Sequence, residues 1–363
     1  MATGRGAAAA QVAADSDMQA EVMAFLASGR AFGVGPESVT LRLTHCAAVF
    51  LVGDRAWKLK RAMHFVGVDY RTLRGRERAC QAEISLNRRT APDLYLAVTA
   101  ITREADGALA LDGEGRPCDW LVQMRRFDEA GLFDRLAEAG RLTPALVASL
   151  GEEVGRFHAR QPPTPGHGSI AHVAHVLALD HAMQRRHLDV LPAAAVDSLY
   201  AASGACLTRV APQIEARRAS GFVRHGHGDL RLANICLWQG APTLFDCVDF
   251  SDAIACTDVL HDIAFLLMDL MQHGCADLAA LALGRYVALL PQPFGAKVLP
   301  LFLSMRGAMR AYTHAAAMQR QTSAAAAEAR RRAALADFAF AEAALADPPT
   351  PAFAHLLACF GEP

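Results

Sequence analysis

Asp229 and Asn234 stand five residues apart in the run His227-Gly-Asp-Leu-Arg-Leu-Ala-Asn234. At that spacing a loop carboxylate can stand beside an attacking hydroxyl while an amide oxygen holds a magnesium ion. A short hydrophobic run follows, Thr243-Leu-Phe-Asp246-Cys-Val-Asp249-Phe250, and brings two further carboxylates. A loop acid, an amide and then acids on a strand are the parts that move a phosphoryl group from Mg-ATP. In that chemistry the protein mostly positions groups and stabilises charge. Asp229 is therefore the candidate catalytic base. His227 is read as propping up the loop, and His225 as incidental.

Asn234, Asp246 and Asp249 are the candidate magnesium ligands. Mg²⁺ takes hard oxygen ligands and keeps several waters, so two or three such residues plus phosphate oxygens suffice. Side chains alternate along a regular strand, so Asp246 and Asp249 face opposite sides unless the chain bends between them. Asp249, in Asp249-Phe250-Ser251, is the first choice, while Asp246 lies at the better-matched distance from Asn234; both stay open. Lys58 and Lys60 lie on Ala56-Trp-Lys-Leu-Lys-Arg61, where alternation puts both on one face. One of them is expected to hold the α/β-phosphates, steadied by a helix glutamate: Glu83, with Glu77 as the alternative. Asp258 and Asp262, four apart in TDVLHDIAFLLMDL, share a helix face. They are read as structural, an acid near a helix N-terminus or a brace for the catalytic loop. Arg306 and Arg310 share one face of SMRGAMRAYTHAA and are candidate substrate contacts, against the plainer reading of solvated arginines.

The elements that must position these residues are legible as patterns. Residues 20–32 predict a short helix. From Val39 to Arg61 the pattern is β-rich, with turn-like breaks such as Gly53-Asp54. Arg71 to Thr90 reads as a charged helix ended by Ala91-Pro92. Strand-like runs follow at 94–102 and 119–127, with a Gly/Asp-rich loop between them. Residues 20–127 thus predict a small antiparallel sheet with one principal helix. Beyond 128 the chain predicts helices at 130–138, 143–160, 170–187, 191–219, 256–272, 276–289, 296–319 and 322–346, interrupted by the strand-like stretch 222–250. The fold class is α+β in two lobes: a sheet lobe over 20–127 and a helical lobe over 128–346 that carries the catalytic loop within 225–250. Residues 1–19 are expected to be a disordered leader and 347–363 a C-terminal tail.

Composition narrows the function classes. The 363 residues are 53% hydrophobic and 20% charged, with a formal net charge of −1. No global field favours nucleic acid or an anionic membrane, and basic residues are not interleaved with aromatics, so neither partner is expected. The apolar run Ile263 to Leu270 is too short to span a bilayer and is cut by Asp262 and Asp269. Nine widely spaced cysteines form no CxxC pair, which fits reduced thiols in a cytoplasmic protein and argues against structural zinc. GxxxxGK[ST], G-x-S-x-G and H-E-x-x-H are all absent, removing P-loop, common hydrolase and zinc-protease readings. Nothing in the sequence fixes the oligomeric state.

With these residues in place, the chain resembles the aminoglycoside phosphotransferase and choline-kinase-like superfamily. HGDLRLANI resembles its catalytic loop, VDFSDAIACTDVLHDIAF its following acidic segment, and LGEEVGRFHA (150–159) its helix ending in Leu-His. VFLVGDRAWKLKR, EISLNRRTAPDLYLAV and ICLWQGAPTLFDCVDF resemble an uncharacterised bacterial subgroup often fused to a C-terminal P-loop ATPase domain. The resemblance covers about residues 35 to 320. It implies a protein-kinase-like fold, ATP and Mg²⁺ as cofactors, and a small-molecule acceptor whose hydroxyl meets Asp229. It also implies phosphate anchoring by Lys58 with Glu83, and an adenine-holding hinge near Val122-Gln123-Met124. Two departures stand out: the turn Leu43-Thr-His-Cys-Ala-Ala48 has no glycine, and VDFSDA lies two residues farther from Asn234 than is usual. The altered turn motivates a second reading, a catalytically weak nucleotide-binding regulator on a kinase scaffold. A third reading, a metal-hydrolase site at His225-Gly-His-Gly-Asp229, is weaker.

Overall fold

The computed structural model describes residues 18–44, 46–65 and 68–361. Most of the expected leader therefore lies outside the described residues. The chain divides into two compact units, one of residues 1–129 with 243–252 and one of residues 130–242 with 253–363. The first unit is wider than the sheet lobe drawn from sequence. The segment 243–252 belongs to it rather than to the helical unit around it in sequence.

The first unit is built on a six-stranded antiparallel sheet. Its strands are β1 (Thr40–Leu43), β2 (Ala47–Val52), β3 (Arg55–Lys60), β6 (Tyr95–Arg103), β7 (Leu109–Leu111) and β8 (Arg116–Arg125), ordered β1-β2-β3-β8-β6-β7. A small pair, β4 (His64–Phe65) and β5 (Val68–Asp69), precedes helix α2 (Leu73–Asn87). Alternation along the strands divides the sheet's residues between two faces. Phe50, Trp57, Leu59, Ile101 and Leu121 pack with Val22, Phe25 and Leu26 of helix α1 (residues 18–27). Lys58 and Lys60 fall on the opposite parity. Helix α2 starts where the Thr72 hydroxyl accepts from the Gly75 amide. Its buried residues Arg76, Cys80, Glu83, Ile84 and Asn87 recur at helical spacing, so Glu83 lies on the stripe that is turned inward.

A buried ion pair joins this helix to the sheet. Arg76 Nε lies 2.8 Å from Asp119 Oδ1, with both side chains essentially unexposed. Gln19 Nε2 donates to the other Asp119 oxygen at 2.9 Å, so α1 shares the same carboxylate.

In the second unit α3 (Phe133–Glu138), α4 (Pro144–Arg160), α5 (Ile170–Gln184) and α6 (Ala193–Ala219) lead to strand β9 (Val223–His225). Strands β10 (Ile235–Trp238) and β11 (Ala241–Leu244) carry the chain back to the first unit. It returns through the single turn α7 (Asp252–Ala255) to β12 (Cys256–Asp258) and helices α8 (Val259–Gln272), α9 (Ala276–Leu289), α10 (Gly295–Met318), α11 (Ala324–Ala344) and α12 (Pro351–Leu357). The helix expected over 256–272 thus begins three residues late, because 256–258 pair with β9. The expected tail over 347–363 contains α12, whose Phe353 and Leu356 are buried. Close packing uses small residues: a Cβ at Gly151 would come within 2.3 Å of the Ala282 carbonyl oxygen. No helix among the described residues is long and apolar enough to cross a membrane.

Arg76→Ala is expected to destabilise the protein by about 3–5 kcal/mol, because it leaves Asp119 buried and unpaired. Urea unfolding followed by fluorescence reads this, since Trp57 and Trp120 both lie in the first unit. A loss under about 1 kcal/mol, the value of an exposed pair, would contradict the burial argument.

Candidate functional site

The second unit holds the catalytic-loop residues, and strand register sets their position. In the β9–β12 pair Cys256 lies opposite His225 and Asp258 opposite Val223. The loop 226–234 therefore leaves β9 beside the start of β12, where the Gly226 amide donates to the Ala255 carbonyl at 2.9 Å. Helix α8 begins at the other end of the pair, its Val259 amide on the Phe222 carbonyl at 3.0 Å. Asp258 caps α8 by accepting from the Leu260 amide at 2.8 Å. It also takes a two-pronged ion pair from the buried Arg217, at 2.8 and 2.7 Å.

One turn on, the fully buried Asp262 faces the loop. It accepts from the backbone amides of His227 at 2.6 Å and Gly228 at 2.8 Å, and pairs with His158 Nε2 at 3.0 Å. The other nitrogen of His158 meets the Tyr286 hydroxyl at 2.9 Å. With Nε2–H given to Asp262, the partners assign Nδ1 as acceptor for that hydroxyl. Burial alone would raise the Asp262 pKa, but His158, His227 and Arg306 hold it far below the usual carboxylate range. Gly226 must be glycine, since a Cβ there would lie 2.4 Å from Asp262 Oδ2. Asp262 is thus the loop brace foreseen in the sequence, and Asp258 the helix cap. No role was assigned to His158 from sequence, although its position in the last turn of α4 was the available signal.

Asp229 is about one-third exposed. Asn234 Nδ2 donates to its Oδ2 at 2.7 Å and to its carbonyl at 2.9 Å, while Arg231 Nε meets its Oδ1 at 3.0 Å. Burial opposes ionisation, yet Arg231, His227, the Asn234 amide and Arg310 bring the pKa below normal. The carboxylate is therefore ionised at neutral pH. Arg231 was present in the motif but carried no assignment from sequence.

The two candidate substrate arginines part company. Arg306 is buried, donating to the carbonyls of His261 at 3.0 Å and Gly228 at 3.4 Å and stacking over Phe265. It supports the loop from inside, and its expected role as a substrate contact is corrected on that ground. Arg310, four residues on, is half-buried and bonds His314 Nε2 at 2.7 Å.

The first unit gathers the remaining candidates. Lys58 Nζ lies 2.8 Å from Glu83 Oε1 and 2.6 Å from Asp246 Oδ1. Lys60 Nζ lies 2.7 Å from Glu83 Oε2 and 2.6 Å from Asp249 Oδ2. Glu83 thus holds both lysines, and Glu77 is not needed for the role. The strand expected through Thr243–Phe250 stops at Leu244, because Asp246 takes a left-handed backbone, φ 59°. Opposite faces for Asp246 and Asp249 therefore do not apply, and each acid reaches a lysine of the same strand. The bend is pinned by the Asp246 amide on the Tyr95 hydroxyl (3.1 Å) and the Cys247 amide on Asn87 Oδ1 (2.9 Å).

Exposure separates the two pairs. The Asp246 side chain is 46% exposed and Asp249 only 7%; Lys58 is 16% exposed and Lys60 5%. Burial would lower the Lys58 pKa, but Asp246 and Glu83 carry it well above its usual value. Burial raises the Asp249 pKa, with Lys60 opposing and Glu83 adding to the rise.

The hinge expectation is displaced. Val122 and Met124 lie in β8, paired on one edge with Lys58 and Ala56 and on the other with Val98 and Tyr95. A strand paired on both edges has no backbone groups left for adenine. The sheet pairing ends at Arg125, and the next amide, Arg126, donates to the Asp54 carbonyl at 2.8 Å. The chain leaves the sheet beyond that point.

No family model matches the chain. An uncharacterised protein of Mycobacterium tuberculosis is 29% identical over 287 residues, covering 75% of this chain and 54% of that protein; one of Mycobacterium bovis gives the same figures. The chain spans about half the length of these curated relatives. Among solved structures, a choline/ethanolamine kinase family protein from Mesorhizobium loti superposes with a TM-score of 0.56 at 16% identity, covering 94% of this chain and 99% of that one. The GDP complex of an aminoglycoside 2′-phosphotransferase gives 0.51 at 14% identity, covering 89% and 99%. The chain has the α+β kinase-like fold of these two proteins, with a sheet-bearing N-terminal part and a helical C-terminal part.

Asp262→Asn is expected to cost at least about 3 kcal/mol, since it replaces the charge that two backbone amides and His158 address. The Asp262 pKa is depressed in the folded protein, so its stabilisation is complete above about pH 4. That stabilisation is lost as pH falls below this toward the folded-state value. Acid titration of stability should therefore be shallower in Asp262→Asn than in the wild type. Superimposable acid limbs would remove Asp262 from this role.

Proposed function

We propose that the protein is an ATP- and Mg²⁺-dependent phosphotransferase acting on a hydroxyl of a small molecule. The observation that carries this reading is Asp229: an ionised, one-third exposed carboxylate fixed by Asn234 on a loop whose amides are locked by a buried acid. Its depressed pKa suits a group that orients the attacking hydroxyl and takes its proton late, as the new P–O bond forms and the β–γ bridge breaks. Lys58, backed by Glu83, is assigned to the triphosphate, and Lys60 to holding Glu83 and Asp249 in place.

The donor set fits magnesium. Asn234 spends its NH₂ group on Asp229, so its amide oxygen is left for a hard cation. Asp246 is the exposed acid and takes the principal metal role, with Asp249 second because it is buried against Lys60. Bound Mg²⁺ would neutralise charge on the transferring phosphates.

A regulator that binds nucleotide without turnover is the alternative. It is favoured by the β1–β2 turn, which closes on itself through Thr44 N to Ala47 O at 2.8 Å and Ala47 N to Thr44 Oγ1 at 3.0 Å. The ionised Asp229 paired with Asn234 argues for catalysis instead.

The test is ADP release by the purified full chain with Mg-ATP and a panel of hydroxyl compounds. Asp229→Ala is expected to lose roughly 10²–10⁴-fold in turnover with ATP-induced thermal stabilisation retained. Binding without turnover in the wild type would favour the regulator, and absence of both would end the phosphotransferase reading. Lys58→Ala should raise the KM for ATP without unfolding the protein. Lys60→Ala should instead lower the melting temperature, since it strands the buried Asp249 carboxylate and leaves Glu83 with Lys58 alone; equal kinetic effects would refute this division of labour.

A further inference from the structure

We propose that the acceptor carries an anionic group, a carboxylate or phosphate near its reactive hydroxyl, and that Arg231 and Arg310 recognise it. This rests on Asp229 being the base that meets the acceptor.

The second unit places two guanidinium groups about that carboxylate. Arg231 touches Asp229 Oδ1 at 3.0 Å and is one-quarter exposed. Arg310 reaches the same neighbourhood from α10. It bears on the ionisation of Asp229, and its own charge is opposed first by burial and then by Arg231. Asp229 balances one of these two like charges, and a second anion beside it would balance the other.

Protein carboxylates do not supply that anion to Arg310. Its hydrogen-bond partner is His314 Nε2. Asp337 pairs with His314 Nδ1 at 3.0 Å and accepts from Gln272 at 3.2 Å. Asp269 accepts from the Leu232 amide at 2.8 Å and lies 3.8 Å from His273 Nδ1. Neither of these two acids comes within ion-pairing distance of Arg310 among the described residues. A half-buried guanidinium with a single histidine partner has spare donors in a planar fork, the geometry that suits a carboxylate or phosphate.

The arrangement also explains what Arg231 does before the acceptor arrives. It occupies the Asp229 oxygen left over by Asn234. An anionic acceptor would draw Arg231 away and leave Oδ1 to accept the hydroxyl proton. A polycationic acceptor would meet two guanidinium groups beside the base, and recognition of aminoglycosides is disfavoured on that ground.

The experiment compares glycerol, glycerol 3-phosphate and D-glycerate as probes. Their binding is measured by calorimetry on full-chain protein whose nucleotide site is saturated with a non-hydrolysable Mg-ATP analogue. The phosphate and the carboxylate should bind the wild type roughly 10- to 100-fold more tightly than glycerol. Arg310→Gln and Arg231→Gln should each erase most of that gap, with Arg310→Lys restoring part of it and nucleotide affinity unchanged in all three. Equal binding of charged and neutral probes, an anion preference that survives both glutamine variants, or absence of probe binding would overturn the proposal. Turnover of an aminoglycoside with a large rise in resistance on expression would overturn it as well. The phosphotransferase reading is tested separately by ATP turnover in Asp229→Ala, so either conclusion can fail alone.

Discussion

The buried carboxylate of Asp262 is the interaction on which the catalytic loop depends. An unpaired anion in that place would be prohibitively unstable, so the chain surrounds it with donors. These are two successive loop amides, an imidazole from α4 and, at 3.9 Å, the Arg306 guanidinium. These groups come from three separate parts of the chain, the loop, α4 and α10, and together they balance the charge. The loop is therefore fixed by an electrostatic requirement rather than by its own stiffness. The β9–β12 pairing ties the strand that leads into the loop to the strand that leads into α8. Asp262 reaches the loop from one turn into that helix, and the absence of a Cβ at Gly226 lets the carboxylate approach. Asp229 inherits its position from that arrangement.

The first unit solves a different problem. Lys58 and Lys60 face Glu83, Asp246 and Asp249, two cations against three anions, in a largely buried cluster. Three acids around two lysines leave one formal negative charge over. The three acids differ in their access to solvent. Asp246 is nearly half exposed, whereas Glu83 and Asp249 are enclosed with both lysines. The same strand thus provides a fixed ion pair and an exchangeable one.

Much of this was legible in the sequence because it rests on period and spacing. Alternation put both lysines of β3 on one face, and helical spacing put Glu83 on the inner stripe of α2. The four-residue interval of Asp258 and Asp262 gave a shared face, and the structure adds only which partner each one takes. What was not legible depends on backbone conformation or on contacts distant in sequence. Nothing in Phe245-Asp-Cys247 announces a left-handed residue, since aspartate tolerates that region without requiring it. Arg306 and Arg310 are equivalent by periodicity. Only the packing of α10 against α8 turns one inward under Gly228 and leaves the other half-exposed. The hinge near Val122 and Met124 was implied by the resemblance alone, and the pairing of β8 on both edges depends on strands distant in sequence.

The same distinction bears on the glycine-free turn. A glycine-rich phosphate loop works through backbone amides that are free to converge on an anion. Here the Thr44 amide and hydroxyl are both spent inside the turn. If the nucleotide reading holds, recognition of its charge must fall more heavily on side chains. The sheet provides for this with a second lysine two residues from the first, tied to the same glutamate. Doubling the lysine raises the charge that must be balanced in the apo protein, and Asp246 and Asp249 supply that balance. The altered turn, the paired lysines and the paired acids are then one feature: phosphate-binding charge moved from a loop backbone onto a strand.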